Sequence, residues 1–316
     1  MRTRFRPDRQ LTMRMVLTIL LLGVVYVAFV AVLVALLRST VLVVVIVAGV
    51  LAAQYWFSDR IALLAMRAKE VTPAQQPVLH GVVDRLCATA DMPKPRVAVA
   101  DTDLPNAFAT GRNSRRAVVC VTTGLLRRLD TEELEGVLAH ELSHVAHRDV
   151  AVMTVASFLG VLAGLVARFM FYSGLSGGRG RRGREGEQAA LVVMLVMVVS
   201  AAVYAVSYLL IRALSRYREL AADRSGAMLT GRPSALASAL TKVNGEIARI
   251  PSRDLRTVQA FNAFFFAPAL GDGPSLAALL STHPTLERRL DQLAAVAVEL
   301  GEAATTDGTP GRAARP

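Results

Sequence analysis

Residues 131–149 read TEELEGVLAHELSHVAHRD, and this stretch decides the architecture. Asp130 stands immediately before it, with Glu133 three positions on, which is the pattern of a capping box at a helix start. Three of the five histidines of the chain fall between positions 140 and 147. On a helix, residues four apart share a face, so the rings of His140 and His144 can converge on one ion. Glu141 sits one step round, within reach of a water on that ion. The residues therefore spell HExxH, a spacing that suits metal-assisted hydrolysis.

Outward from this helix the chain turns apolar. Hydrophobic residues make up 53% of the 316 and charged residues only 19%, against roughly 25% charged in an ordinary soluble domain. Mean hydropathy is +0.42. Four runs carry no charge: 15–37, 39–58, 150–167 and 188–211. A helix needs about 20 apolar residues to cross a bilayer, so the pattern predicts about four transmembrane helices. The first run is too long for the apolar region of a cleaved signal peptide, and a second follows at once. Arg2, Arg4, Arg6, Arg9 and Arg14 precede the first run, Arg38 lies between the pair, and Arg60, Arg67 and Lys69 follow. Positive residues mark the cytoplasmic side. Both ends of the first hairpin, and the polar segment from 58 to 149, are expected there.

The net charge of +11, with 33 arginines against 3 lysines, serves this orientation and does not indicate nucleic acid. No basic stretch carries interleaved aromatics. Cys87 and Cys120 are too few for a disulfide scaffold and lack metal-type spacing.

Between the hairpin and the motif, residues 59–95 read as largely helical, broken by Pro73 and Pro77. RVAVADT, NAFATG and RRAVVCVTTG then read as two or three strands of a small sheet. The motif helix is expected to run directly into the third apolar run. A Gly/Arg-rich loop, SGLSGGRGRRGREGEQ, precedes the fourth run, which continues without a breaker through SRYRELAADRSGAML to Thr230-Gly231-Arg232-Pro233. A further helix starts near Ser234. An aromatic stretch (Phe261, Phe264, Phe265, Phe266) and STHPTLERRLDQL follow, and the composition from Gly301 predicts a disordered tail. The chain thus divides into a membrane hairpin (1–58), a first catalytic part (59–149), a second hairpin (150–211), a second catalytic part (212–300) and a tail (301–316). The fold class is a mainly α membrane protein with a zincin-like α+β catalytic domain carrying a small β-sheet.

A catalytic zinc takes three protein ligands and keeps one position open. His147, three residues beyond His144, is one candidate for the third. The longer motif with a histidine six positions after the second would need it at Val150. The other candidate is Glu219, four residues before Asp223 on the helix leaving the fourth run. One of these carboxylates can bind metal while the other orients a ligating histidine. The excursion from 150 to 211 is long enough to leave and return to one side, which would set the ion near the bilayer surface. Arg179, Arg181, Arg182 and Arg184 in the connecting loop run against the positive-inside rule. Either the second pair does not fully span, or it packs in a bundle with Arg168 snorkelling.

Taken together, the chain resembles the HtpX-type membrane zinc metalloproteases, relatives of the CAAX prenyl endopeptidases. The resemblance rests on NAFATG (Asn106 to Gly111), AVVCVTTGLL, HELSH followed by Asp149, SRYRELAAD and STHPTLERR. It implies one Zn2+ per chain on His140, His144 and Glu219, with Glu141 as general base and Asp223 and Asp149 behind the ligands. It also implies that Asn106, Ala107 and Phe108 border the substrate cleft and that His283 and Arg289 lie near the site. Leu220 stands where an aromatic is common in that family, and Thr285 where a second proline often follows His-Pro.

On this reading the enzyme is a zinc endopeptidase of the plasma membrane, its catalytic domain cytoplasmic, acting on misfolded or damaged membrane proteins. His283 is the first choice to steady the oxyanion, with Arg289 or Tyr217 after it. Substrate would add as a strand along 106–110. Three rivals are weighed. A protease with its motif buried in the membrane needs apolar flanks, whereas Asp130, Glu132, Glu133 and Glu135 precede the motif and Arg148-Asp149 follow it. A prenyl-protein endopeptidase would share the catalytic residues but have more spans. A non-catalytic zinc-binding sensor or scaffold would close its site with four ligands and have no use for Glu141.

Overall fold

Apolar periodicity, proline placement and caps mark out the helices and strands of the described residues, with a 3-10 turn at Ser114–Arg116 besides those named below. The computed structural model describes residues 9–37, 66–111, 113–149, 184–249 and 283–301, with scattered positions in 45–64 and 152–166. The elements are α1 (Arg9–Leu37), β1 (Lys69–Glu70), α2 (Pro77–Ala90), β2 (Arg96–Ala100), β3 (Ala107–Thr110), β4 (Val118–Thr122), α3 (Thr123–Arg128), α4 (Thr131–Ala146), α5 (Arg184–Thr230), α6 (Pro233–Arg249) and α7 (Leu286–Leu300).

Two of these helices are long and apolar enough to cross a bilayer: α1 over Thr12–Ala31 and α5 from Leu191 onward, each with a mean hydropathy of 2.3. Only 17% of either apolar window is buried, so these are not core helices of a water-soluble domain. Val24, Val27 and Val198 point outward, more than half exposed, as a lipid-facing surface requires. The inward faces pack together. Phe29 of α1 meets Val196 of α5 and Leu162 and Ala163, and Leu22 meets Leu214 and Ala156. The described positions of the third apolar run are helical and belong to this bundle. The second apolar run lies almost wholly outside the described residues, as do residues 173–183 of the Gly/Arg-rich segment, the aromatic stretch and the tail after Gly301; residues 184–188, expected in that loop, are instead the first residues of α5.

The 47 residues of α5 continue past the lipid-facing part without a break. At 1.5 Å per residue the helix is about 70 Å long, more than twice the thickness of a hydrocarbon core. Its portion from Arg212 onward is rich in charge and packs against α4 and α6. There it ends at Gly231, whose φ of +68° makes a left-handed stop, and α6 restarts at Pro233.

The sheet has four strands in the order β1-β2-β4-β3. β2 and β4 run parallel, with Val97 opposite Val119, while β3 runs antiparallel to β4 with Phe108 opposite Cys120. All five residues of β4 are buried, which fits a central strand covered on both faces. Val97, Val119 and Val121 face the main core against Leu86, Leu138 and Leu142. Ala98, Phe108 and Cys120 face the other way, against Leu63 and Met66. Residues Lys69–Glu70, within the stretch expected to be helical, instead pair with Val99 and Ala98 as edge strand β1. Pro73 and Pro77 keep the helix from starting before α2.

The capping box at α4 is present: Asp130 accepts from the Glu133 N–H at 2.9 Å and Glu133 accepts from the Asp130 N–H at 3.1 Å. The other end departs from expectation. The helix does not run on into the third apolar run; it stops at Ala146, and Arg148 takes a left-handed φ of 55°. That turn brings Asp149 back beneath the helix it has just left.

Candidate metal centre

Glycines set how closely the helices bearing His140, His144 and Glu219 approach. A Cβ on Gly226 of α5 would lie 2.8 Å from the His140 amide nitrogen, and one on Gly136 would lie 3.2 Å from the Leu236 Cα. Helix α4 is therefore held tight against α5 and α6, with the face bearing His140 and His144 turned toward Glu219.

The two imidazoles meet edge to face, with Nε2 atoms 3.2 Å apart. The Glu219 carboxylate spans both, its Oε2 3.6 Å from His140 Nε2 and its Oε1 3.5 Å from His144 Nε2. One ligand atom from each of the three residues falls within 4.8 Å of the others. Tetrahedral zinc with bonds of about 2.0–2.1 Å has edges of about 3.3–3.4 Å, so the donor set fits such an ion.

The opposite ring nitrogens are also held. His140 Nδ1 lies 2.9 Å from Asp223 Oδ1, and His144 Nδ1 donates to Asp149 Oδ2 at 2.6 Å. A proton kept on each Nδ1 leaves both Nε2 lone pairs aimed at the shared space. Asp223 is gripped in turn by Arg289, whose Nε and Nη2 donate to its two oxygens at 2.7 and 2.6 Å. Asp149 receives Arg218 Nη2 at 3.0 Å. His283 Nδ1 stands 3.2 Å from Glu219 Oε2.

Electrostatics follow from this packing of charge. Burial disfavours the His140 imidazolium, but the carboxylates of Asp223 and Glu219 outweigh it and push the pKa up to about 9. Burial likewise opposes charge on Asp149; Arg218 and His144 reverse this and hold it well below the usual carboxylate range. Glu141, buried beside the ligands, moves the other way. Burial raises its pKa, partly offset by His140 and His144 and by an N–H donated from Ala109 of β3. A raised carboxyl pKa suits a group that must accept and return a proton.

The sequence-derived candidates therefore separate. His140, His144, Glu219, Glu141, Asp223, Asp149 and His283 come together in one buried cluster. His147 caps the end of α4, its N–H on the Ser143 carbonyl, and is not among the three clustered donors. Tyr217 presents its ring to Arg14 of α1, 5.9 Å away, so the oxyanion choice it shared with His283 finds no support. Arg289, expected beside substrate, is 1% exposed and committed to Asp223. The ring of Phe108 lies on the far face of the sheet, so what 106–108 can offer is main chain. The register, with the Asn106 carbonyl accepting from Thr122, turns Ala107 and Ala109 outward from β4. Arg218 was missed: it reads as one more charge in SRYRELAAD, and its partner lies across the membrane excursion.

A model of the family described as "Peptidase family M48" matches residues 73–297, which hold every residue of this cluster. The chain belongs to peptidase family M48. As a member it is a metalloprotease, and its apolar helices make it a membrane protein. "Protease HtpX homolog 1" of Streptomyces coelicolor is 67% identical over 303 residues, covering 96% of this chain and 98% of that one. "Protease HtpX homolog" of Moorella thermoacetica is 53% identical over 303 residues, covering 96% and 99%. Among solved structures, the crystal structure of S. mikatae Ste24p aligns with a TM-score of 0.50 at 19% identity, covering 90% of this chain and 67% of that one. That likeness is one of fold.

Proposed function

We propose that this M48 member is a zinc-dependent endopeptidase, anchored by about four membrane helices, that cleaves misfolded or damaged membrane proteins at the cytoplasmic face. The observation that carries the reading is the convergence of His140, His144 and Glu219, with Glu141 buried one step round the helix beside them. Zinc held by those three residues would supply a Lewis acid that acidifies water and polarises the scissile carbonyl. Glu141 takes the proton of the attacking water and returns it to the leaving amine. Its N–H contact from Ala109 ties the base to β3, an edge strand of the sheet. A substrate laid along that edge would pair through backbone, giving sequence-tolerant binding. His283 is assigned to steady the oxyanion.

A non-catalytic sensor is set aside by family membership, and the high identity to HtpX-type proteases favours that type over prenyl-protein endopeptidases. The test is direct. Protein purified in detergent should hold about one zinc per chain and cleave casein. Glu141→Gln should keep the zinc and lose cleavage by about 10²–10⁴-fold. Equal cleavage by both proteins would remove Glu141 as the base.

A further inference from the structure

Each ligating histidine is backed by a carboxylate, and each carboxylate by a buried arginine, but the two arginines come from different places. Arg289 reaches Asp223 from α7, in a segment singled out by its motif. Arg218 sits on α5 itself, one residue before Glu219, and its Nη2 meets Asp149 at 3.0 Å on the same Oδ2 that accepts from His144 at 2.6 Å. Arg218 is 8% exposed and Asp149 3%.

We propose that Arg218 is a positioning residue that sets the metal affinity of His144 through Asp149. The inference rests on the metal-site reading above. Three physical points support it. First, the Asp149 oxygen lies 2.6 Å from His144 Nδ1, on the side of the ring opposite the Nε2 that faces Glu219 at 3.5 Å, so the carboxylate sets which ring nitrogen is turned to the shared space. Second, both partners bind one oxygen, so the position of the carboxylate that steers His144 is fixed from α5. Third, Arg218 and Glu219 are chain neighbours. The Arg218–Asp149 pair therefore crosses the same gap between α5 and the end of α4 that the ion would cross. It joins the two ligand-bearing elements independently of metal, so that the donors are assembled before an ion arrives. The left-handed turn at Arg148 is what brings Asp149 within reach.

The experiment is a double-mutant cycle on zinc affinity, read by competition with a chromophoric chelator. It uses full-length protein in detergent, carried in the inactive Glu141→Gln background to prevent self-cleavage. Arg218→Met should weaken zinc binding about 10–100-fold, in the range for partners behind a ligand, and Arg218→Lys should recover part of the loss. With Asp149→Asn already present, Arg218→Met should produce no further loss, because its route to the metal is gone. Where Arg218→Met fails to accumulate as folded protein, Arg218→Lys carries the same cycle, with a smaller loss expected that again disappears when Asp149→Asn is already present. Affinity within twofold of the parent, or a full loss that persists without Asp149, overturns the proposal. Failure of the parent protein itself to bind zinc would instead overturn the metal-site reading, so the two are distinguishable.

Discussion

A proton on the wrong ring nitrogen would disable either histidine, and the surrounding carboxylates are placed to prevent that. Asp223→Asn should weaken zinc binding by about 10–100-fold while leaving the fold intact, measured by chelator competition alongside circular dichroism. Glu219→Ala should strip zinc from the purified protein, whereas His147→Ala should leave the metal content unchanged. Elemental analysis of the pair decides between the two candidate third ligands. At this scale the sequence was legible wherever the information is local. His140, Glu141 and His144 announce themselves because helical spacing alone places them together. Glu219 and Asp223 were visible for the same reason, as two carboxylates four apart. Arg218 and the true partner of Arg289 were not, because an ion pair between distant segments leaves no periodic trace in either one.

Helices and turns carry the next level of the design. The amide of His140 lies where a side chain on Gly226 would have to go, and the obstruction is backbone that cannot rotate away. Gly226→Ala should force α5 from α4, costing about 1–3 kcal/mol as overpacking does. Thermal unfolding should show the loss, with weakened zinc binding as its companion. Asp130→Ala removes the cap of α4 and should cost about 1 kcal/mol with no change in metal affinity. The start of α4 was readable from Asp130 and Glu133, since capping is written in residue type. Its end was not: Arg148 adopts a left-handed conformation that glycine would have signalled and arginine does not. Two-residue strand β1 escaped for a related reason, being defined by its pairing with β2. Thr285, which departs from the family pattern, caps α7 by accepting from the Arg288 N–H.

Across the whole molecule, the packed apolar helices and the His140–His144–Glu219 cluster each join what the chain separates. Zinc held between α4 and α5 as proposed would bind the folded state selectively, so at a free concentration 1,000 times Kd it should add about 4 kcal/mol. Chelation should lower the midpoint of thermal unfolding, and added zinc should restore it. On the bilayer side, Val24→Arg places a charge on the outward face of α1, at a cost of about 2.5–3.5 kcal/mol near the helix centre. It should reduce the carbonate-resistant fraction of the protein in membranes, while a substitution in exposed Glu132 should not. The unbroken run of α5 has a further consequence. Adding one residue anywhere between Ile211 and Glu219 would turn the ligand about 100° and lift it 1.5 Å relative to the greasy stripe above. The tally of residues between lipid and ligand is thus a phase setting, as much a part of the enzyme's chemistry as the donors it delivers.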